Sequence, residues 1–303
     1  MNEIGETLHP FVESAPDAEP AALRERLERD GYLFIRGLLP QEVLLDLRRQ
    51  ALEVCCAHGW LIDGSELMDS LGRPDAYSGH FEGSSAYPDL QRLQAFHALA
   101  HHPAIIDLLA GVMASEVLVH PRNIMRVTLP GSLRLTTPVH QDYPLIQGTD
   151  RFVTVWFPLG DCSRDLGGLA VASGSHRYGA LPIQPAEGTG GLAVQPAYLH
   201  GEWHASDFAL GDVLIFSALT AHRAFPNVTA DRLRLSCDFR YQPVNEPVTW
   251  GSLEPHMNLL GWRELYRTWP NDDYKYYWRR LALKVVPGIG AGAFIEKMRG
   301  RAD

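Results

Sequence analysis

Two different periods of apolar and polar positions run along this chain, and the change between them falls near residue 115. Before it the spacing is helical. Ala21, Leu23 and Leu27, set among Arg and Glu residues, predict a short amphipathic helix over 19–30 that Gly31 ends. Tyr32-Leu33-Phe34-Ile35-Arg36 reads as a buried strand. Residues 38–56, opened by Pro40, form a second predicted helix with Val43, Leu44, Leu47 and Leu52 on its inner face, and further helices are expected over 89–100 and 104–112. The stretch 59–88 keeps no period and is rich in Gly, Ser and Asp. A loop this long in a compact domain is usually functional or disordered. Its Tyr77, His80, Phe81 and Tyr87 favour a loop that covers a substrate, with a packed surface loop as the plainer alternative.

After Ser115 short apolar runs alternate with turn signals. The runs are Val117-Leu118-Val119, 123–128 before Pro130-Gly131, 152–159, 167–171, 211–216 and 232–241. Strands at this spacing, with no long helices between them, predict a sandwich or barrel rather than a parallel α/β sheet. The expected fold is mainly β with flanking helices, around a cupin-like jelly roll. One domain is expected over 1–303: a tail (1–18), a helical layer with the substrate loop (19–114), the jelly-roll core (115–245) and a helical C-terminal cover (246–303). The run 232–241 is the most informative, because Arg232, Arg234, Ser236, Asp238 and Arg240 alternate with Leu233, Leu235, Cys237, Phe239 and Tyr241. Its polar face is either exposed, as in many antiparallel sheets, or lines a barrel interior that binds an anion.

Composition narrows the partners. A formal net charge of −9 and the lack of a basic stripe argue against a nucleic-acid interface. Lys occurs only at 275, 284 and 297, so the basic residues are almost all Arg, the side chain suited to fixed carboxylate pairing. Cys55, Cys56, Cys162 and Cys237 show no paired spacing, which suits a reducing compartment. Residues 1–19 are acidic and polar without the apolar core of a secretory signal, and no apolar run approaches the ~20 residues of a membrane span. A cytoplasmic protein acting on a small molecule is the expectation.

The candidate chemistry centres on His140-Gln141-Asp142. Placed on a strand, His140 and Asp142 would share a face. With a distant His222 they make the 2-His-1-carboxylate set of non-heme iron(II) oxygenases. With 13 His in 303 residues, a His-x-Asp triplet arises by chance about once, so alone it carries little. Three ligands on one face leave three positions open on an octahedral metal, enough for a chelating dianionic co-substrate and O2. The far carboxylate of such a co-substrate needs a buried cation. Arg234 stands twelve residues after His222, with Ser236 on the same face as a hydroxyl donor. Most other histidines read as core or surface residues. His176 lies in a turn as a structural hydrogen-bonder, and His200, His204 and His256 lack a carboxylate at useful spacing. Gly167-Gly168 is a turn rather than a phosphate cradle, since no helix follows it. No nucleophile elbow, Ser-His-Asp signature or zinc spacing occurs.

Taken together, Gly31-Tyr32-Leu33-Phe34-Ile35-Arg36-Gly37, Val139-His140-Gln141-Asp142, 153–159, Gly167-Gly168-Leu169, Gly174-Ser175-His176-Arg177, 222–227 and Arg232-Leu233-Arg234 follow a family order and spacing. Over roughly 20–245 the chain resembles the phytanoyl-CoA dioxygenase-like (PhyH-type) iron(II)/2-oxoglutarate oxygenases. The resemblance implies a double-stranded β-helix and a reaction of Fe(II), 2-oxoglutarate and O2 that releases succinate and CO2. It implies His140, Asp142 and His222 as iron ligands, Arg234 on the distal carboxylate of 2-oxoglutarate, and Trp156 lining the co-substrate pocket. Two positions depart from it. Ala224 stands where relatives often carry a hydroxyl, a role Ser236 would take, and the Lys that many place on an earlier strand has only Arg126 or Met125 as a counterpart. The retained Asp142 favours hydroxylation, desaturation or ring chemistry over halogenation. A cupin-like metalloenzyme without a 2-oxo acid and a non-catalytic binding module are the alternatives, and the polar face carrying Arg234 favours the oxygenase. The loop aromatics suggest a medium-sized, partly apolar substrate from specialised metabolism.

Overall fold

The computed structural model describes residues 7–74, 76, 83–131, 136–290 and 292–295. Tyr77, His80 and Phe81 lie outside them. Strands β1 (Leu8–His9) and β2 (Glu13–Ser14) precede helix α1 (Pro20–Asp30), strand β3 (Tyr32–Ile35) and helix α2 (Gln41–Ala57). Helices α3 (Tyr87–Gln91), α4 (Gln94–Leu99) and α5 (Pro103–Met113) lead into strands β4 (Val117–Val119) and β5 (Ile124–Thr128) and the single turn α6 (Tyr143–Ile146). Then come β6 (Val153–Pro158), β7 (Leu169–Ser173), β8 (Ile183–Pro185), β9 (Leu192–Val194), β10 (Glu202–His204), β11 (Val213–Ser217), β12 (His222–Ala224) and β13 (Arg234–Pro243).

Strands β2, β3, β11, β6, β13 and β4 lie side by side in one large sheet, with β5 also paired to β13; β1, β10, β7 and β12 make a smaller one. In the large sheet β11 runs antiparallel to β3 and β6, and β13 antiparallel to β6, β5 and β4. Because side chains alternate across a strand, each strand of the large sheet feeds two interiors. Leu33, Ile35, Val153, Val155, Phe157, Val213, Ile215, Leu235, Phe239 and Tyr241 pack under the helices with Leu44, Leu47, Leu52 and Leu109. The opposite parity, Tyr32, Phe34, Trp156, Leu214 and Phe216, packs with Leu169 and Val171 of the smaller sheet. The two sheets therefore face one another, in a mixed arrangement of helices and antiparallel strands.

Strand β13 settles the question its alternation raised. All ten of its residues are buried, so the face carrying Arg234, Ser236, Asp238 and Arg240 is interior. Charged side chains are buried at such cost that they must be paired or serve a ligand. At Gly31 the chain turns from α1 into β3 with φ +80°, where a Cβ would stand 2.7 Å from Thr220 Oγ1; only glycine fits both the angle and the space.

Several elements differ from expectation. On α2 Val43 is exposed, while Ala51 and Cys55 join Leu44, Leu47 and Leu52 inside. The predicted helix over 89–100 is two pieces, α3 and α4. The C-terminal cover is an aromatic cluster of Trp262, Tyr266, Trp269 and Trp278 packed with Leu118. Among the described residues its α-helix is confined to α7 (Trp262–Leu265) and 292–295. Positive φ angles at Met257, Asn258, Tyr274 and Tyr276 break the helical pattern there. Among the described residues no helix is long and apolar enough to cross a membrane.

Candidate metal centre and adjoining cavity

His140 and Asp142 come together differently from the expectation of a shared strand face. His140 pairs through its backbone with His222, each N–H reaching the other's carbonyl at 2.9 Å. Two residues later the chain has left the extended conformation, and Asp142 caps α6 with φ −73°, ψ −29°. A turn, not strand parity, swings the carboxylate back toward the imidazoles. Gln141 fixes that turn. Its side chain is buried, donates to the Gly179 and Leu219 carbonyls and accepts from the Leu181 N–H. His222 opens β12, which pairs with β7, and its ring packs 4.3 Å from that of Phe216.

Each imidazole is held in one tautomer. His140 Nδ1 lies 2.9 Å from the Pro138 carbonyl and His222 Nδ1 lies 3.0 Å from the Thr220 carbonyl. A carbonyl only accepts, so both Nδ1 atoms carry the proton and both Nε2 lone pairs are left for a metal. Asp142 Oδ1 stands 3.6 Å from His140 Nε2 and 4.0 Å from His222 Nε2. Its other oxygen accepts from Thr154 Oγ1 and, at 3.2 Å, from Arg240 Nη2. Burial by itself would raise the Asp142 carboxyl, but the Arg240 guanidinium and the two histidines hold it well below the usual carboxylate range. Burial, with the neighbouring His140, lowers His222 to about 3. Of the three, the Asp142 carboxylate is thus ionised and the His222 ring neutral, the states a divalent metal requires of such ligands. Their ligand atoms all lie within 4.8 Å of one another, and this 2-His-1-carboxylate set is the iron(II) site of 2-oxoglutarate-dependent oxygenases.

Two spaces open from the triad. A narrow slot runs past Trp156, Leu169, Ala224 and Arg234. A cavity of about 540 Å³ extends the other way, and His140 and Asp142 line both. Arg234 is buried in the slot wall, donating to the Gly167 carbonyl and to Thr128 Oγ1 at 2.9 Å, with its guanidinium carbon 5.7 Å from the Trp156 ring centre. Gly167 itself adopts φ +98°, and a Cβ there would meet the Phe225 carbonyl at 2.9 Å and Arg234 Nη1 at 3.5 Å. Gly167 is the turn expected, and it also gives Arg234 its room. Ser236, fully buried on the Arg234 face, has no hydrogen-bond partner for its Oγ among the described residues. Such an orphaned hydroxyl costs roughly 1–3 kcal/mol, which a ligand oxygen would recover.

Arg126 and Met125 separate by strand parity. Arg126 reaches both spaces and is paired with Asp238 at 2.8 Å. Met125 points the opposite way, into the core under the helices, and cannot wall the slot. Tyr87 is not a lid residue either: it is fully buried in α3 and its hydroxyl meets His256 Nδ1. His176 is the turn residue expected, with Nε2 2.9 Å from the Glu28 carbonyl. Sequence reasoning passed over Thr154, Arg240, Arg122 and His256. Arg240 had a usable signal in the parity it shares with Arg234. Thr154→Val should keep the packing and remove one hydrogen bond from Asp142, weakening iron(II) binding about tenfold; anaerobic competition with a chelator measures it.

Comparison with known proteins agrees with this geometry. The family model for phytanoyl-CoA dioxygenase (PhyH) matches residues 27–235. The 1-deoxypentalenic acid 11-beta-hydroxylase of Streptomyces exfoliatus is 28% identical over 268 residues, covering 82% of this chain and 91% of that protein. A probable phytanoyl-CoA dioxygenase of Caenorhabditis elegans is 24% identical, covering 72% of this chain and 74% of that one. Among solved structures, the epimerase SnoN in complex with Fe3+, alpha ketoglutarate and nogalamycin RO superposes with TM-score 0.53 at 23% identity, covering 76% of this chain and 86% of that one. The carbocyclase SnoK, from the same nogalamycin biosynthesis, gives TM-score 0.53 at 18% identity, covering 78% and 89%. These two structures share the fold. Because the matched stretch carries all three metal ligands and spans most of the chain, this protein belongs to the phytanoyl-CoA dioxygenase (PhyH) family and is an iron(II)- and 2-oxoglutarate-dependent oxygenase.

Proposed function

We propose that this protein hydroxylates a small, partly apolar organic molecule of specialised metabolism, consuming 2-oxoglutarate and O2 and releasing succinate and CO2. The observation that carries this is that His140 and Asp142 border both a narrow cationic slot and a separate larger cavity. One suits the co-substrate and the other the molecule to be oxidised. Bound at His140, Asp142 and His222, iron(II) with 2-oxoglutarate and O2 supplies an oxidant able to attack an unactivated C–H bond.

The chain's own residues do the rest. Arg234 would pair with the distal carboxylate of 2-oxoglutarate, Ser236 would donate to it, and the Trp156 face would keep water from the slot. Arg126, held by Asp238, would stand where relatives place a Lys. Thr154 and Arg240 hold Asp142 Oδ2 and so keep Oδ1 turned toward the Nε2 atoms of His140 and His222, where it would serve as a ligand. We read the facing sheets as a double-stranded β-helix, supported by the apolar cluster their residues share. A cytoplasmic setting is supported by four cysteines that stay free thiols. Given iron(II) and 2-oxoglutarate in air, the purified protein should release succinate slowly without any other substrate, and His222→Ala should abolish it. Equal succinate release by the two proteins would contradict the proposal.

A further inference from the structure

The larger cavity carries a charge pattern that its metal and co-substrate do not use. Among the described residues three arginines line it. Arg126 is paired with Asp238 and Arg240 with Asp142. Arg122 has no such partner: it donates from Nη1 to the Gly251 carbonyl at 3.0 Å, and among the described residues no carboxylate lies within ion-pair distance of it. A cation partly removed from water and facing a cavity attracts an anion strongly, because little solvent screens it.

His256, on the same wall, is a second and independent indication. It is only 9% exposed, and its Nδ1 meets the Tyr87 hydroxyl. The tautomer follows from the next contacts. Gln91 Nε2 lies 3.4 Å from the Asn123 carbonyl and 3.1 Å from the Tyr87 hydroxyl. A carbonyl cannot donate, so this end of the Gln91 side chain is the amide nitrogen, and it donates to the Tyr87 oxygen as well. The Tyr87–His256 contact is satisfied when Tyr87 gives its own proton to Nδ1, which leaves the His256 proton on Nε2. Among the described residues nothing accepts from Nε2. Burial, together with the cations Arg122, Arg126 and Arg240, holds His256 well below its ordinary range, so the ring is neutral and Nε2–H is a fixed donor. Positive φ at Met257 (62°) and Asn258 (51°) is backbone strain at non-glycine residues, of the kind kept where a side chain must be aimed.

We propose that Arg122 and His256 form a carboxylate-binding subsite, and that the substrate is a carboxylic acid whose apolar body lies against Ile124, Leu145, Ile146 and Met257. A planar guanidinium and one imidazole N–H suit a two-oxygen monoanion, while the apolar lining suits a hydrocarbon framework. The inference rests on the oxygenase reading above, because it needs the cavity to hold the molecule that is oxidised.

The test uses the iron(II)- and 2-oxoglutarate-loaded protein under argon, with adamantane-1-carboxylate and adamantane-1-carboxamide as rigid probes of nearly equal shape. Titration calorimetry should show the carboxylate binding at least about tenfold more tightly than the amide. Arg122→Gln should bring the ratio near one with amide binding unchanged, and Arg122→Lys should keep part of the preference. A wild-type protein that does not favour the carboxylate, or Arg122→Gln that keeps the full preference, overturns the inference. The visible absorption of the iron(II)–2-oxoglutarate chelate separates the two levels. Its presence with no carboxylate preference removes this subsite alone, whereas its absence from folded wild-type protein removes the oxygenase reading beneath it.

Discussion

Asp142→Ala is expected to abolish substrate hydroxylation and to weaken iron(II) binding by at least about 100-fold, more than loss of a residue that merely supports a ligand. The substitution removes a ligand atom and a negative charge together. It also strands Arg240, whose guanidinium is 3.2 Å from Asp142 Oδ2 and nearly as buried as the carboxylate. An unpaired buried cation next to the metal opposes a divalent ion. It destabilises the metal-free protein too, by the roughly 3–5 kcal/mol that breaking a buried ion pair costs. Anaerobic chelator competition reads the affinity, and thermal unfolding without metal reads the second effect. Near wild-type values in both would mean that Asp142 is neither ligand nor counterion.

Arg234→Leu is the second large effect. The side chain is 4% exposed and borders the slot beside His222 and Trp156, so a carboxylate bound there would be desolvated along with it. Removing the cation from such a pair costs about 2–5 kcal/mol, which corresponds to a rise of roughly 30- to 4000-fold in the apparent KM for 2-oxoglutarate. Iron(II) affinity should change little, because Arg234 contacts Gly167 and Thr128 rather than a ligand. An unchanged KM would move the anchor elsewhere, with Arg126 the next cation along the slot.

Much of this site was legible before any coordinates, for reasons that can be named. His140, Asp142 and His222 stand out because the chemistry needs those residue types in that order. The parity of β13 marked a polar face before its burial was known. Which polar residue does what depends on cross-strand register, and register is not written in one strand. Asp238 lies opposite Trp156 and Arg240 opposite Thr154, which brings Arg240 to Asp142, whereas Arg232, of the same parity, is exposed just outside the strand. The same limit applied on β5, where Arg126 and Met125 looked equivalent until pairing with β13 put Arg126 inside. His256 was passed over for lacking a carboxylate nearby in sequence, and its meaning comes from Tyr87, 169 residues away. Both Arg240 and His256 also lie beyond the family match, which ends at residue 235. The shortness of α7 reflects backbone angles at Met257, Asn258, Tyr274 and Tyr276 that side-chain periodicity does not reveal.

An iron(II) ion held by His140, Asp142 and His222 and chelated by 2-oxoglutarate has a direct optical signature. Anaerobic addition of 2-oxoglutarate to the iron(II)-loaded protein, followed by visible absorption, measures this directly. A weak charge-transfer band should grow to saturation near one equivalent and be missing from His140→Ala. A folded wild-type protein that gives no band, or a band that persists unchanged in His140→Ala, would contradict it.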